Sequence, residues 1–156
     1  MNETVVILHN IRSTHNVGSV FRTADAAGVN RMYLTGYTPL PIDRFGRPQK
    51  DIAKTALGAQ EYISWETNDI QVILKKLKSE GFSIVSIEQD PRSVSVYTYN
   101  APKKVAYIFG NEVRGVSKQL RDKSDTIVEI PMHGKKESLN VSVTVGVVLF
   151  VLNASR

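Results

Sequence analysis

The chain has 156 residues, of which 42% are hydrophobic and 22% charged, and it contains no cysteine. A single domain of this length buries enough apolar surface to fold without disulfides, and the composition excludes a disordered or low-complexity chain. The absence of cysteine excludes thiol nucleophiles, iron–sulfur clusters and cysteine-ligated zinc. A net charge of +5 favours an anionic partner such as nucleic acid, although such a charge is also ordinary on a soluble domain.

No targeting or membrane-spanning segment is predicted in this sequence. The N-terminal residues MNETVV lack both the basic region and the long apolar region of a secretory signal. The longest apolar run, residues 145–152, is much shorter than the roughly 20 residues that cross a bilayer. No linker or internal repeat divides the chain. We therefore expect one domain over residues 1–156, located in the cytoplasm and without a membrane partner.

Short apolar segments alternate with amphipathic segments along the whole chain. Strands are predicted at residues 4–11, 31–36, 82–88, 105–110 and 126–131. Helices are predicted at residues 17–28, at 117–123, and from a cap at Thr67 or Asn68 to residue 78. A proline-punctuated basic loop is predicted at residues 37–54. The alternation predicts an α/β fold with a mostly parallel sheet and helices on both faces.

The last segment, from Ser138 onwards, carries conflicting signals. Its many β-branched residues favour a strand, whereas its apolar residues recur at helical spacing over a length typical of a helix. Ser138 is a candidate N-cap. Ser138, Ser142 and Gly146 also place small residues four apart, which would let another backbone approach closely. We predict a helix for this segment.

Three polar loops follow predicted strands, at the edge where open parallel sheets bind ligands. They are RSTHNVGS at residues 12–19, GNEVRGVS at 110–117 and PMHGKKESLN at 131–140. The first leads into a helix that carries Arg22, for which an ion pair with Asp25 is the simplest interpretation. The second has the glycine spacing of a phosphate-binding loop, but Val116 stands where that motif has lysine. Nucleotide-phosphate binding is therefore disfavoured relative to an ordinary glycine turn.

No metal site is predicted. His9, His15 and His133 lie in different segments and lack the spacing of metal ligands. From the residues alone, the chain is a basic α/β domain whose ligand-binding edge is formed by three polar loops. Each of these loops also has a simpler interpretation as a solvated turn.

Taken together, the three loops resemble the sequence motifs of the SpoU, or TrmH-like, RNA ribose methyltransferases of the α/β-knot superfamily. Residues 9–29 (HNIRSTHNVGSVFRTADAAGV) resemble motif one, residues 108–117 (IFGNEVRGVS) motif two, and residues 130–143 (IPMHGKKESLNVSV) motif three. Residues 86–97 resemble the family's intervening segment. The resemblance covers nearly the whole chain. It implies a parallel sheet whose C-terminal segment is threaded through a loop as a deep trefoil knot, a topology that general folding rules reject.

The resemblance also implies a function. Members similar to this chain are homodimers that bind S-adenosylmethionine in the knot and methylate the 2′-hydroxyl of a ribose in RNA. For this chain tRNA is favoured over rRNA, and a guanosine of the tRNA D-loop is the first candidate. The alternatives are a wobble nucleotide of tRNA, an rRNA, or a catalytically idle RNA-binding knot protein.

By motif position, the resemblance implies a catalytic set of five residues: Arg22, Asn16, Glu112, Ser138 and Asn140. Arg22 would help to deprotonate the ribose hydroxyl. Because a guanidinium normally stays protonated, the alternative is that Arg22 positions and stabilises the developing alkoxide. The implied cofactor-binding residues act mainly through their backbone: Gly110, Ile130, Met132, Ser138 and Leu139. The candidate RNA-binding cations are Arg12, His15, Arg44, Arg47, Lys50 and Arg114.

Overall fold

The structure is a computed structural model that describes residues 1–154. Within these residues the strands are β1 (Glu3–His9), β2 (Arg31–Thr35), β3 (Ser64–Glu66), β4 (Ser83–Ile87), β5 (Val94–Ser95), β6 (Lys104–Phe109) and β7 (Thr126–Glu129). The helices are α1 (Thr14–Ala26), α2 (Lys50–Ala56), α3 (Ala59–Tyr62), α4 (Ile70–Ser79), α5 (Lys118–Lys123) and α6 (Val141–Asn153). No helix in this part of the chain is long and apolar enough to cross a membrane.

The seven described strands form one sheet in the order β3-β2-β1-β6-β4-β7-β5, and every pair of neighbours is parallel. Side chains alternate between the two faces of each strand. In β1, Val6 and Leu8 pack with α1, α2 and α6, whereas Val5 and Ile7 pack with α4 and α5 on the opposite face. The predicted parallel sheet with helices on both faces is therefore confirmed.

The position of β7 controls the path of the C-terminal segment. This strand lies between β4 and β5, and β5 belongs to the connection, residues 88–103, that leads from β4 to β6. The amide of Val96 in that connection donates to the carbonyl of Glu129 at 2.8 Å. The Nε2 of Gln89 donates to the carbonyl of Glu137 at 2.6 Å. The chain that follows β7 is thus held within the loop that follows β4.

Several short elements were not predicted from the sequence. The strands β3 and β5 have three and two residues, and α3 has four, so none of them is long enough to display a hydrophobic period. The predicted loop at residues 37–54 was wrong at its end, because α2 begins at Lys50. Short elements of this kind are stabilised by their packing against the rest of the fold rather than by a local pattern.

Two predicted helix caps were also wrong. The helix α4 is capped by Asp69, whose side chain accepts from the amide of Gln71 at 2.9 Å, and not by Thr67 or Asn68. The helix α6 is capped by Asn140 rather than by Ser138, which lies outside the helix. Asp and Asn cap as well as Ser or Thr, so composition alone does not choose between neighbouring candidates.

Among the described residues, the small residues predicted to allow a close helix approach bring no other backbone near Gly146. A Cβ atom on Gly146 of α6 would lie 3.7 Å from Thr23 of α1, an ordinary contact distance. The tightest approach is at a residue that the sequence did not single out, Gly18 of α1, where α2 crosses. A Cβ atom there would lie 2.5 Å from the backbone carbonyl oxygen of Ile52 and 1.9 Å from the hydroxyl of Thr55.

We therefore expect Gly18→Ala to lower the free energy of unfolding by about 1–3 kcal/mol, because the added methyl group forces α1 and α2 apart. Urea unfolding measures this change. Gly134→Ala is the matched control, since a Cβ atom at Gly134 meets no heavy atom within 4 Å. Equal stability of the two variants would show that α2 shifts at no cost, contrary to this packing.

Candidate active site

The three motif loops meet at the carboxyl edge of the sheet, around the carboxylate of Glu112. Its Oε1 accepts a hydrogen bond from the amide of Arg12 at 2.9 Å, and its Oε2 accepts from the amide of Ser13 at 3.0 Å and from Nδ2 of Asn16 at 3.3 Å. These residues are about 100 positions away from Glu112 in the sequence. The Glu112 side chain of the second loop therefore holds three residues of the first loop in place.

The local sequence explains why these amides are free to donate. Ser13 is the N-cap of α1, and its hydroxyl accepts from the amide of Asn16 at 3.1 Å. The amides just before a helix have no partner within it and attract negative charge. Burial alone raises the pKa of Glu112, but the hydrogen bonds from Arg12, Ser13 and Asn16 outweigh it and lower the pKa below its ordinary value. Glu112 is thus an ionised acceptor in this site.

The third loop joins the same network through Asn140. Its Nδ2 donates to Oδ1 of Asn16 at 3.4 Å, which continues the series Glu112–Asn16–Asn140. Its Oδ1 accepts from the amide of Ser142 at 2.9 Å and from the hydroxyl of Ser142 at 2.6 Å. Sequence reasoning did not identify Ser142 as a contributor. Its position two residues after the N-cap is the available signal, because capping side chains bond to that position.

A cleft opens beside this network. All five residues predicted to bind a cofactor line it: Gly110, Ile130, Met132, Ser138 and Leu139. Glu112 also lines it, as do Glu88 and Gln89, which follow β4 and which sequence reasoning missed. The cleft thus combines apolar side chains with polar groups from several loops, and α6 closes one side of it through Val141 and Thr144.

The turn at residues 110–116 forms one wall of the cleft, and its shape requires glycine at two places. A Cβ atom on Gly110 would lie 2.4 Å from the backbone carbonyl of Gly115. Gly115 has φ +67°, in the left-handed region. The amide of Val116 donates to Oε2 of Glu88 at 3.0 Å, and the Val116 side chain is buried. A core residue therefore occupies the position of the lysine in a phosphate-binding loop.

A salt-bridge cluster holds the connection after β4, whose first residues, Glu88 and Gln89, form another wall of the cleft. The carboxylate of Asp90 accepts from Nε of Arg92 and Nε of Arg121, both at 2.9 Å, and Arg121 also donates to the carbonyl of Val116 at 2.5 Å. The hydrogen bonds from Arg92 hold the pKa of Asp90 well below its usual range. This cluster ties the connection after β4 to the turn before α5.

Arg22 is not part of the cleft within one copy of the chain. It lies on the exposed side of α1, in a separate surface groove that His15, Lys54 and Phe150 also line. The ion pair with Asp25 is absent among the described side chains. The structure thus brings together Glu112, Asn16, Asn140 and Ser138 but leaves Arg22 apart from them.

The candidate RNA-binding cations are exposed but scattered. Arg114 lines the cleft, and His15 lines the groove of Arg22. Arg12 uses its amide in the Glu112 network while its side chain remains exposed. The other three lie beyond β2: Arg44, Arg47 and Lys50.

This geometry can be compared with that of known proteins. The sequence pattern of the SpoU rRNA Methylase family matches residues 3–150. The chain belongs to this family. Its parallel sheet and threaded C-terminal segment are the α/β knot of the family, so the predicted deep trefoil knot is confirmed.

Individual relatives support this membership. The 23S rRNA (guanosine-2′-O-)-methyltransferase RlmB of Neisseria meningitidis is 35% identical over 146 residues, which are 93% of this chain and 56% of that protein. The tRNA (guanosine(18)-2′-O)-methyltransferase of Aquifex aeolicus is 31% identical over 156 residues, 99% of this chain and 70% of that protein. An AdoMet-bound rRNA methyltransferase from Sinorhizobium meliloti superposes with a TM-score of 0.89 at 27% identity, covering 98% of this chain and 56% of the other.

The pKa of Glu112 makes the stability of the site depend on pH. A carboxylate whose pKa is lowered by folding stabilises the fold fully above the ordinary value of about 4.3, and this stabilisation is lost as the pH falls through the folded value. We expect Glu112→Gln to be less stable than the wild type at neutral pH, because a neutral group is a weaker acceptor for the amides of Arg12 and Ser13. In urea unfolding, the difference should stay constant above about pH 4.3 and shrink as the pH is lowered below that value.

Glu137→Gln is the control for this experiment, since the exposed carboxylate of Glu137 accepts no hydrogen bond from the described residues. A stability difference for Glu112→Gln that is the same at all these pH values would contradict an ionised, amide-bonded Glu112.

Proposed function

We propose that this protein is an S-adenosylmethionine-dependent methyltransferase that acts on the 2′-hydroxyl of a ribose in RNA, with tRNA favoured over rRNA. The observation that carries the proposal is the hydrogen-bonded series Glu112–Asn16–Asn140, which joins three distant loops beside one cleft. The ribose methyltransferase names of the Neisseria and Aquifex relatives support it, as does the AdoMet-bound structural neighbour. The chain spans 56% of the Neisseria protein, so the activity of that whole protein is a proposal for this chain.

The chemistry of the cleft fits the cofactor. Ile130, Met132 and Leu139 offer an apolar slot of the kind that an adenine ring occupies, and the backbone at Gly110 and Ser138 offers polar groups for the ribose. These five residues would hold S-adenosylmethionine. When bound, it supplies a sulfonium-activated methyl group, which leaves sulfur as it bonds to the ribose 2′-oxygen, while the hydroxyl proton is released.

The residues of the network act by positioning. Ionised Glu112 fixes the loop that leads into α1 and orients the side-chain amide of Asn16. Asn16 and Asn140 orient each other, so the start of α6 is held against the start of α1. Ser138 lies on the wall of the cleft next to this junction. Such fixed geometry aligns the attacking oxygen with the methyl group, which lowers the barrier by removing misaligned conformations.

Arg22 has two proposed roles. It would give up its own proton to a substrate phosphate and then accept the hydroxyl proton, or it would stay protonated and stabilise the developing alkoxide. Either role requires Arg22 to reach the substrate from the surface groove bordered by Phe150 of α6.

The outward face of α6 supports a homodimer. Val143 and Phe150 are about half exposed on this face, and a helix that is apolar on all sides is typical of a buried helix. We therefore propose that a second copy covers α6. Because the groove of Arg22 lies beside Phe150, this arrangement places Arg22 at the interface instead of on an open surface.

Sedimentation equilibrium tests the dimer. The wild type should sediment as a dimer at micromolar concentration. The Phe150→Glu variant should have a mass closer to that of the monomer, because its dimer would bury a charge in the interface. Val72→Glu, an equally exposed apolar residue on α4, is the control and should leave the mass unchanged. A monomeric wild type would refute this interface.

The RNA substrate is a guanosine-containing tRNA or rRNA in this proposal. A guanosine of the tRNA D-loop is the first candidate, supported by the Aquifex relative, whose name specifies guanosine 18 of tRNA. A 23S rRNA guanosine is the alternative, supported by the Neisseria relative. The candidate cations that would hold the RNA are Arg12, His15, Arg44, Arg47, Lys50 and Arg114.

Transfer of a labelled methyl group from S-adenosylmethionine to tRNA and, separately, to rRNA tests the activity, with nuclease mapping of the label to a ribose. We expect ribose label in tRNA.

In the same assay Arg22→Ala should lower the rate by about 10²–10⁴-fold, while calorimetry shows unchanged cofactor binding, because Arg22 does not line the cleft. Lys75→Ala, an exposed cation on α4, is the control.

Each alternative has its own signature. Cofactor binding without transfer to either RNA would indicate a different RNA substrate or a required partner, whereas no cofactor binding at all would favour the idle RNA-binding protein. Transfer that survives in Arg22→Ala would remove Arg22 from the mechanism. Partial rescue by Arg22→Lys would favour electrostatic stabilisation only if the rate does not rise with pH, because lysine keeps the charge but also loses its proton more easily than arginine.

A further inference from the structure

The connection between β2 and α2 presents an aromatic ring to solvent. Phe45 is 66% exposed, and the guanidinium carbons of Arg44 and Arg47 lie 4.7 Å and 4.9 Å from the centre of its ring. A large exposed aromatic side chain is unfavourable in water, and cation–π contacts of this kind also mark surfaces that stack nucleic-acid bases. The combination of an exposed ring with two arginines is therefore a candidate binding surface for a base.

The turn that carries Phe45 is held in place by Asp43. The Oδ1 atom of Asp43 accepts from the amides of Phe45 at 2.8 Å and of Arg47 at 3.0 Å, and Oδ2 accepts from Nε of Arg47 at 2.8 Å. The backbone closes the same turn, since the amide of Asp43 donates to the carbonyl of Arg47 at 2.8 Å. Gly46 supplies the left-handed conformation that the turn needs, with φ +76°. The backbone that carries the ring is thus held in one conformation, which lowers the entropy cost of binding.

The same connection is attached to the candidate active site through Tyr37. The Nδ2 of Asn111, the residue before Glu112, donates to the Tyr37 hydroxyl at 2.9 Å and to the carbonyl of Asn10 at 3.0 Å. The ring of Tyr37 is itself 58% exposed. The connection therefore begins at the site and carries a second exposed aromatic ring on the way to Phe45.

The charges decide the kind of partner. Arg44 and Arg47 of this connection are exposed, as is Lys50 at the start of α2. Only Arg47 among the three has a carboxylate partner in the described residues. An apolar protein surface would not match such cations, whereas an RNA offers phosphates for them and a base face for the ring. Bases inside a duplex are stacked on each other, so only an unpaired base can stack on a protein ring.

We propose that Phe45, with Arg44 and Arg47, forms a stacking platform for an unpaired base of the RNA substrate. This inference rests on the proposed function and specifies its substrate as an RNA whose loop is single-stranded next to the methylated ribose. On binding, the guanidinium groups leave the ring for the flanking phosphates, and the base takes their place on the ring.

The first experiment introduces a reporter at the platform. The chain has one tryptophan, so Phe45→Trp in a Trp65→Phe background places the sole indole at position 45. Titration with an RNA hairpin that has an unpaired loop should quench its fluorescence saturably, as stacking does, whereas a blunt duplex of equal length should not. Equal quenching by both RNAs would overturn the proposal, because it would mean that this surface recognises phosphate alone.

The second experiment separates stacking from charge. Phe45→Leu keeps an apolar side chain but removes the ring, and it should raise the Kd for the hairpin by about 5- to 100-fold, the equivalent of losing one stacked base. Phe45→Tyr should bind like the wild type. Arg44→Ala should reduce the slope of log Kd against log salt by about one phosphate contact, whereas Phe45→Leu should leave that slope unchanged.

The controls distinguish this proposal from the proposed function. If the wild type binds the hairpin and transfers methyl groups but Phe45→Leu binds equally tightly, the platform is refuted and the methyltransferase stands. If the wild type transfers no methyl group to any RNA, the proposed function fails, whatever Phe45 does. If Phe45→Leu changes the sedimentation mass instead of the Kd for RNA, the ring contacts a second copy of the chain and the platform is again refuted. Cofactor binding by calorimetry should be the same in every Phe45 variant, which verifies that each one folds.

Discussion

The site depends on one carboxylate at the N-terminal end of a helix. Glu112 lies in the turn after β6, and the free amides that precede α1 donate to it. The interaction stabilises both partners, because the amides have no acceptor within the helix and the carboxylate would otherwise be half-buried without a donor. Asn16 and then Asn140 extend the contact to the start of α6. Loops that are far apart in the sequence thereby form a single rigid junction.

The insertion of β7 between β4 and β5 supplies the rest of the cleft. Because the chain after β7 is held inside the connection that follows β4, residues of both segments face the same space, and Gln89 bonds directly to the backbone of Glu137. The cluster of Asp90 with Arg92 and Arg121 fixes that connection to the turn after β6. A threaded chain has few ways to open, so the proposed cofactor pocket is preformed rather than assembled on binding.

The outer surface of α1 and α6 has a different character from the cleft. Arg22 and Phe150 share a groove there, and apolar residues of α6 are exposed on the same side. The proposed dimer resolves both features together, since it covers the apolar surface and removes Arg22 from bulk water. A guanidinium in such a place exerts a stronger field on a nearby alkoxide than an exposed one.

Local apolar patterns by themselves determined the parallel sheet, the longer helices and the loops at the carboxyl edge. An uninterrupted apolar run such as β1 and a period of 3.6 residues such as that of α4 are both local properties of a segment. The resemblance of the three motifs to the SpoU family also predicted that Glu112, Asn16 and Asn140 belong to one site. Only the tertiary structure decided that Asn140 rather than Ser138 caps α6, that Ser142 joins the network, and that Arg22 lies apart from the cleft. These outcomes depend on which side chains contact each other across the knot and between α1 and α6. Contacts between segments that are remote in the sequence produce no local pattern of residues from which they could be predicted.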